Sequence, residues 1–337
     1  MIYLFQNKLA HYRIDLLEVL YTKVAFTLLL KETPAEDVVK DVTFPVEVLN
    51  SREFCGFTYL VMPIISSKDV LVAEADVTIV NWLVIRRSRI IFWGFWRTKN
   101  SIANSYRLWL MSRAKANMFY AQSHLDWAVS QGILESRCVH VNNTIVVDTI
   151  SGNRDKVQGL SNHFQRLNLI FIGTLNKRKG LDKIIWVLAN VEFTNWHFNI
   201  LGDGPELDIL KALVDSLELS DKVHFIGRVN EIARQREYFN DSHFSISYHQ
   251  AGLSVLTSLA YGVPVIVHED AISGGEIENV INYTNGFRVR GDDELYHLLH
   301  FLYYNSCIYR RMSSNAISHY VNRCNPEDFA LKVSSIL

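Results

Sequence analysis

Three cations in a row, Lys177-Arg178-Lys179, stand inside the octet Gly173-Thr174-Leu175-Asn176-Lys177-Arg178-Lys179-Gly180. Adjacent like charges repel on a bare surface, so the cluster suits a loop that meets a polyanion; a solvated basic turn is the plainer alternative. The turn Leu201-Gly202-Asp203-Gly204-Pro205 is weaker alone, because Gly-Asp-Gly reverses a chain without any ligand. The strongest signal is the run from Gln250-Ala251-Gly252-Leu253-Ser254 to Gly262-Val263-Pro264. It reads as a glycine turn, a short helix of small and apolar residues, and a step into a buried strand. N–H groups at Gly252, Leu253 and Ser254 would stand unpaired at the positive end of that helix dipole, which is how backbone binds a diphosphate.

Other groups carry less. His249 could donate to a sugar hydroxyl or a phosphate, or be satisfied by backbone at a strand end. Glu276 and Glu278 follow Gly274-Gly275, where a helix dipole favours an acid with or without a ligand. Ser123 is placed to cap a helix that begins at His124. The acid-x-acid pairs Glu74/Asp76 and Asp292/Glu294 sit at a strand start and in a turn before a helix, and neither makes a convincing metal clamp. Cys55, Cys138, Cys307 and Cys324 are widely spaced, with no CxxC pair or nearby zinc-ligand histidine, so they read as reduced thiols in a cytoplasmic protein.

These loops need a scaffold that points them one way. From Leu167 onward, apolar strands alternate with helices: strands at 168–173, 197–202, 223–227, 244–248 and 263–268, helices at 181–191, 205–219, 231–240 and 253–261. Continuous apolar strands joined by helices indicate a parallel sheet covered on both faces. The first ~150 residues repeat the theme less cleanly, with candidate strands at 2–5, 24–30, 46–49, 57–62, 77–80, 89–93, 117–120 and 139–141. The expected division is an N-terminal Rossmann-like domain over 1–150, a polar linker over 151–166, a second Rossmann-like domain over 167–325, and a helix over 326–337 that returns to brace the first. The chain has 337 residues, 49% of them apolar, enough for two cores. A formal charge of -1 excludes the basic footprint of a nucleic-acid binder. The opening apolar run is too short for a signal peptide, and no uninterrupted apolar run is long enough to span a bilayer.

Taken in order, Phe171-Ile172-Gly173 to Lys179-Gly180, Leu201-Gly202-Asp203-Gly204-Pro205, Val223-His224-Phe225-Ile226-Gly227, Gly252 to Pro264, Gly274-Gly275-Glu276-Ile277 and Asn285-Gly286-Phe287 resemble the retaining glycosyltransferase family 4, over about half the chain. Tyr12-Arg13, Trp93-Gly94 and Asn142-Asn143-Thr144 extend the likeness loosely into the first half. The resemblance implies the GT-B fold, two Rossmann-like domains facing across a cleft, with an acceptor on the first and a nucleoside-diphosphate sugar on the second. It implies transfer to a saccharide or lipid-linked saccharide with retention of configuration, without metal or cofactor, in surface polysaccharide synthesis.

By that likeness Lys179 holds the donor diphosphate, with Arg178 or Lys177 as substitutes for an arginine usual five residues before it, and Gly173, Gly202, Gly204, Gly252, Leu253, Ser254 and either Glu276 or Glu278 line the donor side. Three positions of the second half depart from the family, and one of the first half. Thr174 stands where an arginine is usual, and His249 and Thr257 stand where the paired glutamates are expected, marking an atypical member. Phe95 occupies the position of a first-domain histidine, leaving His11 as the substitute candidate, or as an ordinary exposed residue at a helix start.

Between Arg86 and Lys115 lie eight basic residues and no acid, interleaved with Phe92, Trp93, Phe95, Trp96, Tyr106 and Trp109. That mixture suits peripheral contact with an anionic membrane on its cytoplasmic face, or else a buried strand with a solvated basic side. Two rival functions stay open: a catalytically silent GT-B partner or sugar-binding subunit, and another two-domain Rossmann enzyme such as an epimerase or dehydrogenase. The dehydrogenase is disfavoured because no G-x-G-x-x-G opens the first helix of either half.

Overall fold

The computed structural model describes residues 1–35, 39–40, 42–54, 57–73, 89–94, 101–147 and 164–337. The chain divides into two compact units, Met1–Val146 with Asn325–Leu337, and Val147–Cys324.

In the first unit, β1 (Ile2–Gln6), β2 (Thr27–Leu30), β3 (Val46–Val48), β6 (Val70–Ala73), β7 (Arg89–Trp93), β8 (Ala116–Phe119) and β9 (Cys138–His140) form one parallel sheet in the order β3-β2-β1-β6-β7-β8-β9. β4 (Ser51–Phe54) and β5 (Phe57–Leu60) pair separately as an antiparallel hairpin. Alternation along the strands feeds two cores: Leu4, Leu28, Leu30, Ile91 and Trp93 enter one, and Tyr3, Phe5, Leu29, Ile90 and Phe92 the other. Burial on both faces is why these strands read as unbroken apolar runs. The helices are α1 (His11–Lys23), α2 (Ser101–Met111), α3 (Gln122–Ser130) and, from the far end of the chain, α10 (Pro326–Ile336). Phe329, Ala330 and Val333 of α10 are buried in the same core as Leu16, Leu17 and Leu20 of α1. Lys23 pairs with Glu327 at 2.7 Å, and Lys115 Nζ donates to the Ile336 carbonyl.

Two expectations are corrected here. Val70–Ala73, beside β1 at the centre of the sheet, is a strand that the sequence does not announce: it is only four residues long and acids flank it. The strand expected at 77–80 lies outside the described residues. Ser123 is not a cap, because α3 starts one residue earlier at Gln122 and has Ala121 at its N-cap.

In the second unit, β10 (Leu167–Ile172), β11 (Trp196–Leu201), β12 (Val223–Gly227), β13 (Phe244–Ile246), β14 (Val265–His268) and β15 (Gly286–Val289) form a parallel sheet in the order β12-β11-β10-β13-β14-β15. That is the doubly wound order 3-2-1-4-5-6, with its direction of winding reversing between β10 and β13. Around it lie α4 (Leu181–Ala189), α5 (Leu207–Ser216), α6 (Ile232–Asn240), α7 (Leu253–Ala260), α8 (Asp292–Tyr304) and α9 (Cys307–Arg323). Asp292 and Glu294 thus lie in the first turn of α8, not before it. Pro205 precedes α5, whose N-cap is Glu206. Most of the expected linker falls at 148–163, outside the described residues; Phe164, at its end, is already part of the second core.

Candidate functional site

Strand ends on both sides of the reversal between β10 and β13 point their loops to one edge of the second sheet, where such sheets bind ligands. Leaving β10, the chain runs from Gly173 through a 3-10 turn, Lys177–Lys179, to Gly180 in the left-handed region, φ 67°. A Cβ at Gly180 would come within 2.7 Å of the His249 ring, so glycine is required there by both conformation and space. His249 in turn donates its backbone N–H to the Lys179 carbonyl at 3.4 Å. The basic loop and the loop after β13 are therefore in direct contact.

Gly202 makes the other close approach. A Cβ there would lie 1.9 Å from the Gly173 carbonyl oxygen, and the two turns are tied by Gly173 N–H to Leu201 and Leu175 N–H to Asp203, both 3.0 Å. Gly204 presses on the Leu175 backbone in the same way, so Gly202 and Gly204 shape the basic loop from beneath. The Lys179 amine lies over Gly173, 3.7 Å from where a Cβ would be. Burial and the adjacent Arg178 push that amine below its ordinary pKa, while Glu276 pulls it back.

Gly252 caps α7 with no side chain on the first turn, and open space faces its Cα. Among the described residues the N–H groups of Leu253 and Ser254 have no acceptor. The Ser254 hydroxyl is taken by Ser247 at 2.9 Å. His249 stacks on Tyr248 at 4.7 Å, and Tyr248 is anchored by its hydroxyl, which donates to Asp292 at 2.6 Å. Burial and the neighbouring His268 lower the His249 pKa. A third segment joins through Ala251 N–H to Ile272 at 3.0 Å and Ile272 N–H to His249 at 2.8 Å. It carries Glu276, buried, whose carboxylate accepts from Ser273 Oγ at 3.0 Å and Gly274 N–H at 2.8 Å.

The structure thus gathers Gly173, Lys179, Gly180, His249, Gly252 and Glu276. It does not bring in every expected residue. Thr257 turns away: its hydroxyl donates to the Leu253 carbonyl of its own helix at 3.1 Å. Thr174 and Arg178 are exposed on the basic loop. Glu278 lies within the 3-10 turn Glu276–Asn279 and, unlike Glu276, is not among its buried residues. His11 belongs to the first unit, where it is the exposed first residue of α1 and not a loop residue. Phe95 lies outside the described residues.

Ser273 is a residue that sequence reasoning overlooks; its hydroxyl also accepts from the Gly275 and Ile277 N–H groups at 3.1 Å, and a Ser before Gly-Gly is a readable turn signal. Asn176 Oδ1 and Gln250 Oε1, both buried without a partner among the described residues, have no signal beyond their position. Among the described residues no group of three or more His, Cys, Asp or Glu is placed to hold a metal ion.

The fold recurs in a solved structure, that of Anabaena HepE in complex with UDP, with a TM-score of 0.74 over 99% of this chain and 98% of that one, at 16% identity. The chain has the GT-B fold. Within it, residues 157–319 match the family model for Glycosyl transferases group 1, a stretch that contains the whole gathered site. A Haemophilus influenzae relative, an uncharacterized glycosyltransferase, is 26% identical over 170 residues, 49% of this chain and 45% of its own. Another from Klebsiella pneumoniae, an uncharacterized 41.2 kDa protein in the cps region, is 24% identical over 188 residues, 52% of this chain and 49% of its own. The chain spans about half the length of these relatives.

Proposed function

We propose that the chain is a retaining family 4 glycosyltransferase that moves a sugar from a nucleoside diphosphate to a saccharide or lipid-linked saccharide. The observation that carries this is the meeting, at the switch point of the second sheet, of a partly desolvated lysine with an uncapped helix start. Charge builds on the departing diphosphate as the sugar bond breaks, and Lys179, Arg178 and the N–H groups of Gly252, Leu253 and Ser254 would stabilise it. With charge balanced this way the reaction is proposed to need no metal or cofactor, so a chelator should leave its rate unchanged. UDP in HepE and the cps-region setting of the Klebsiella relative support a nucleotide-sugar donor and a role in surface polysaccharide synthesis, which we propose takes place at the cytoplasmic side of the membrane.

Peripheral membrane contact has its own support. Tyr106 stacks on Trp109 at 5.9 Å, Arg113 lies 4.1 Å over the same indole, and Ile102 is 80% exposed on α2. Arg86, Arg87, Arg97 and Lys99 fall outside the described residues. No described helix is long and apolar enough to cross a membrane.

The catalytically silent partner is the second reading, favoured by His249 and by the inward turn of Thr257, which leave both expected acid positions without a carboxylate. Incubation with a panel of nucleotide sugars and lipid-linked acceptors, monitoring diphosphate release and product configuration, separates the two. Donor binding without turnover for every acceptor would favour the silent partner, and no donor binding at all would overturn both.

A further inference from the structure

The first unit holds a cation that the chemistry above does not use. Arg13 lies in the first turn of α1, just past the carboxyl end of β1, with its guanidinium carbon 5.6 Å from the Trp93 ring centroid and 5.9 Å from that of Tyr120. Trp93 ends β7 and Tyr120 follows β8, so the carboxyl ends of β1, β7 and β8 in one sheet converge on it. Burial works against its charge, but the Tyr120 and Tyr12 phenols, first through electrostatics and then through hydrogen bonds, more than offset it. Neutral phenols do not cancel that charge, and among the described residues no carboxylate forms an ion pair with Arg13. A desolvated cation without a counter-ion is costly, and proteins hold one where a ligand supplies the missing charge.

A second, independent observation falls at the same place. The indole Nε1 of Trp93 is buried, with the residue 4% exposed, and has no hydrogen-bond partner among the described residues. A buried donor left unmade is uncommon in a folded chain. The first turn of α1 adds to both: Ala10 at its N-cap offers no side-chain oxygen, and the turn contains no acid. Beside this cluster Tyr12 is 48% exposed, leaving ring surface for a sugar.

From these we infer that Arg13 and Trp93 Nε1 bind an oxyanion, phosphate ester or carboxylate, carried by the acceptor saccharide, with Tyr12 bordering the sugar ring that bears it. The inference rests on the reading of the first unit as the acceptor side. A guanidinium fork grips either oxyanion in two bonds, and the indole N–H supplies a third donor. Neutral acceptors would leave both buried groups unmatched, so the site selects for charge, as sites with unpaired polar groups reject ligands that cannot satisfy them.

The test titrates the full chain with glucose 1-phosphate, glucuronate and glucose, following tryptophan fluorescence and heat, and separately with UDP. At least one anionic sugar should bind about tenfold or more tighter than glucose. Which of the two does so distinguishes phosphate from carboxylate. Arg13→Gln should abolish that preference, Arg13→Lys should keep part of it, and Trp93→Phe, which retains the ring, should weaken it about threefold, all with UDP affinity unchanged. Anionic sugars binding no better than glucose, or an Arg13→Gln protein that binds them as wild type while still binding UDP, would overturn the inference. Failure of the wild type to bind UDP would instead strike at the donor site of the second unit, while the sugar titration continues to test the first unit independently.

Discussion

Lys179 sits where burial and Arg178 both disfavour its charge, a tension that an incoming diphosphate would relieve. Lys179→Ala should therefore weaken UDP binding by about ten- to a hundredfold, as expected for a charged hydrogen bond of about 1.5–3 kcal/mol, and leave the melting temperature near wild type. Calorimetric titration beside a thermal melt checks both; unchanged UDP affinity would remove the basic loop from the site. The lowered histidines make a second prediction at this scale. His249 is depressed by burial and His268, and His319 by burial and Arg323. Below the ordinary histidine value near ~6.5 the unfolded chain takes up protons that the folded one refuses, so stability falls as pH drops through that window and levels off above it. Urea midpoints measured between about pH 7 and about pH 5 should show that fall, and His319→Gln should flatten it. Legibility is uneven among single residues. Lys179 and Gly252 are visible because cations and glycines are rare enough at strand ends to stand out. The inward turn of Thr257 is not, since a threonine that back-bonds to its own helix has the same sequence as one that faces a ligand.

The turns after β10 and β11 act as one piece, because Gly202 lies against the Gly173 carbonyl with backbone on both sides and nothing flexible to yield. Gly202→Ala should destabilise the protein by at least about 2 kcal/mol and reduce UDP affinity with it, since displacing the lower turn displaces the loop that carries Lys179. Denaturant unfolding and titration of the same variant test the coupling; an affinity loss without a stability loss would contradict it. Elements of the second unit are legible to within a few residues where a strand is an apolar run ended by glycine or a polar turn. Those of the first unit are less so. Val70–Ala73 is short and bounded by charges, so its central place comes from pairing with β1, which no local pattern announces. β15 and α9 escape a sequence reading because their apolar residues are interleaved with polar and aromatic ones, and only packing against the second core settles their type.

Across the whole molecule the first unit is discontinuous, with α10 closing a core begun by α1. Phe329, 2% exposed and 5.7 Å from the Trp93 ring, is the anchor of that closure. Phe329→Ala should cost about 3–5 kcal/mol, in the range for truncating a buried aromatic. Where unfolding resolves into two transitions, the loss should fall on the first unit alone, as read by exchange of β1 and β2 amides against β10 and β11 amides. Equal loss in both would show that the units do not unfold separately.

α10 also leaves the ribosome after every element of the second unit. Everything in the second unit is synthesised before the helix that completes the first, so during translation the later-made unit can finish folding while the earlier-made one waits with an apolar face uncovered. An order of maturation opposite to the order of synthesis makes the nascent first unit a natural client for chaperones, and makes substitutions in α10 more harmful to yield in cells than to the purified protein.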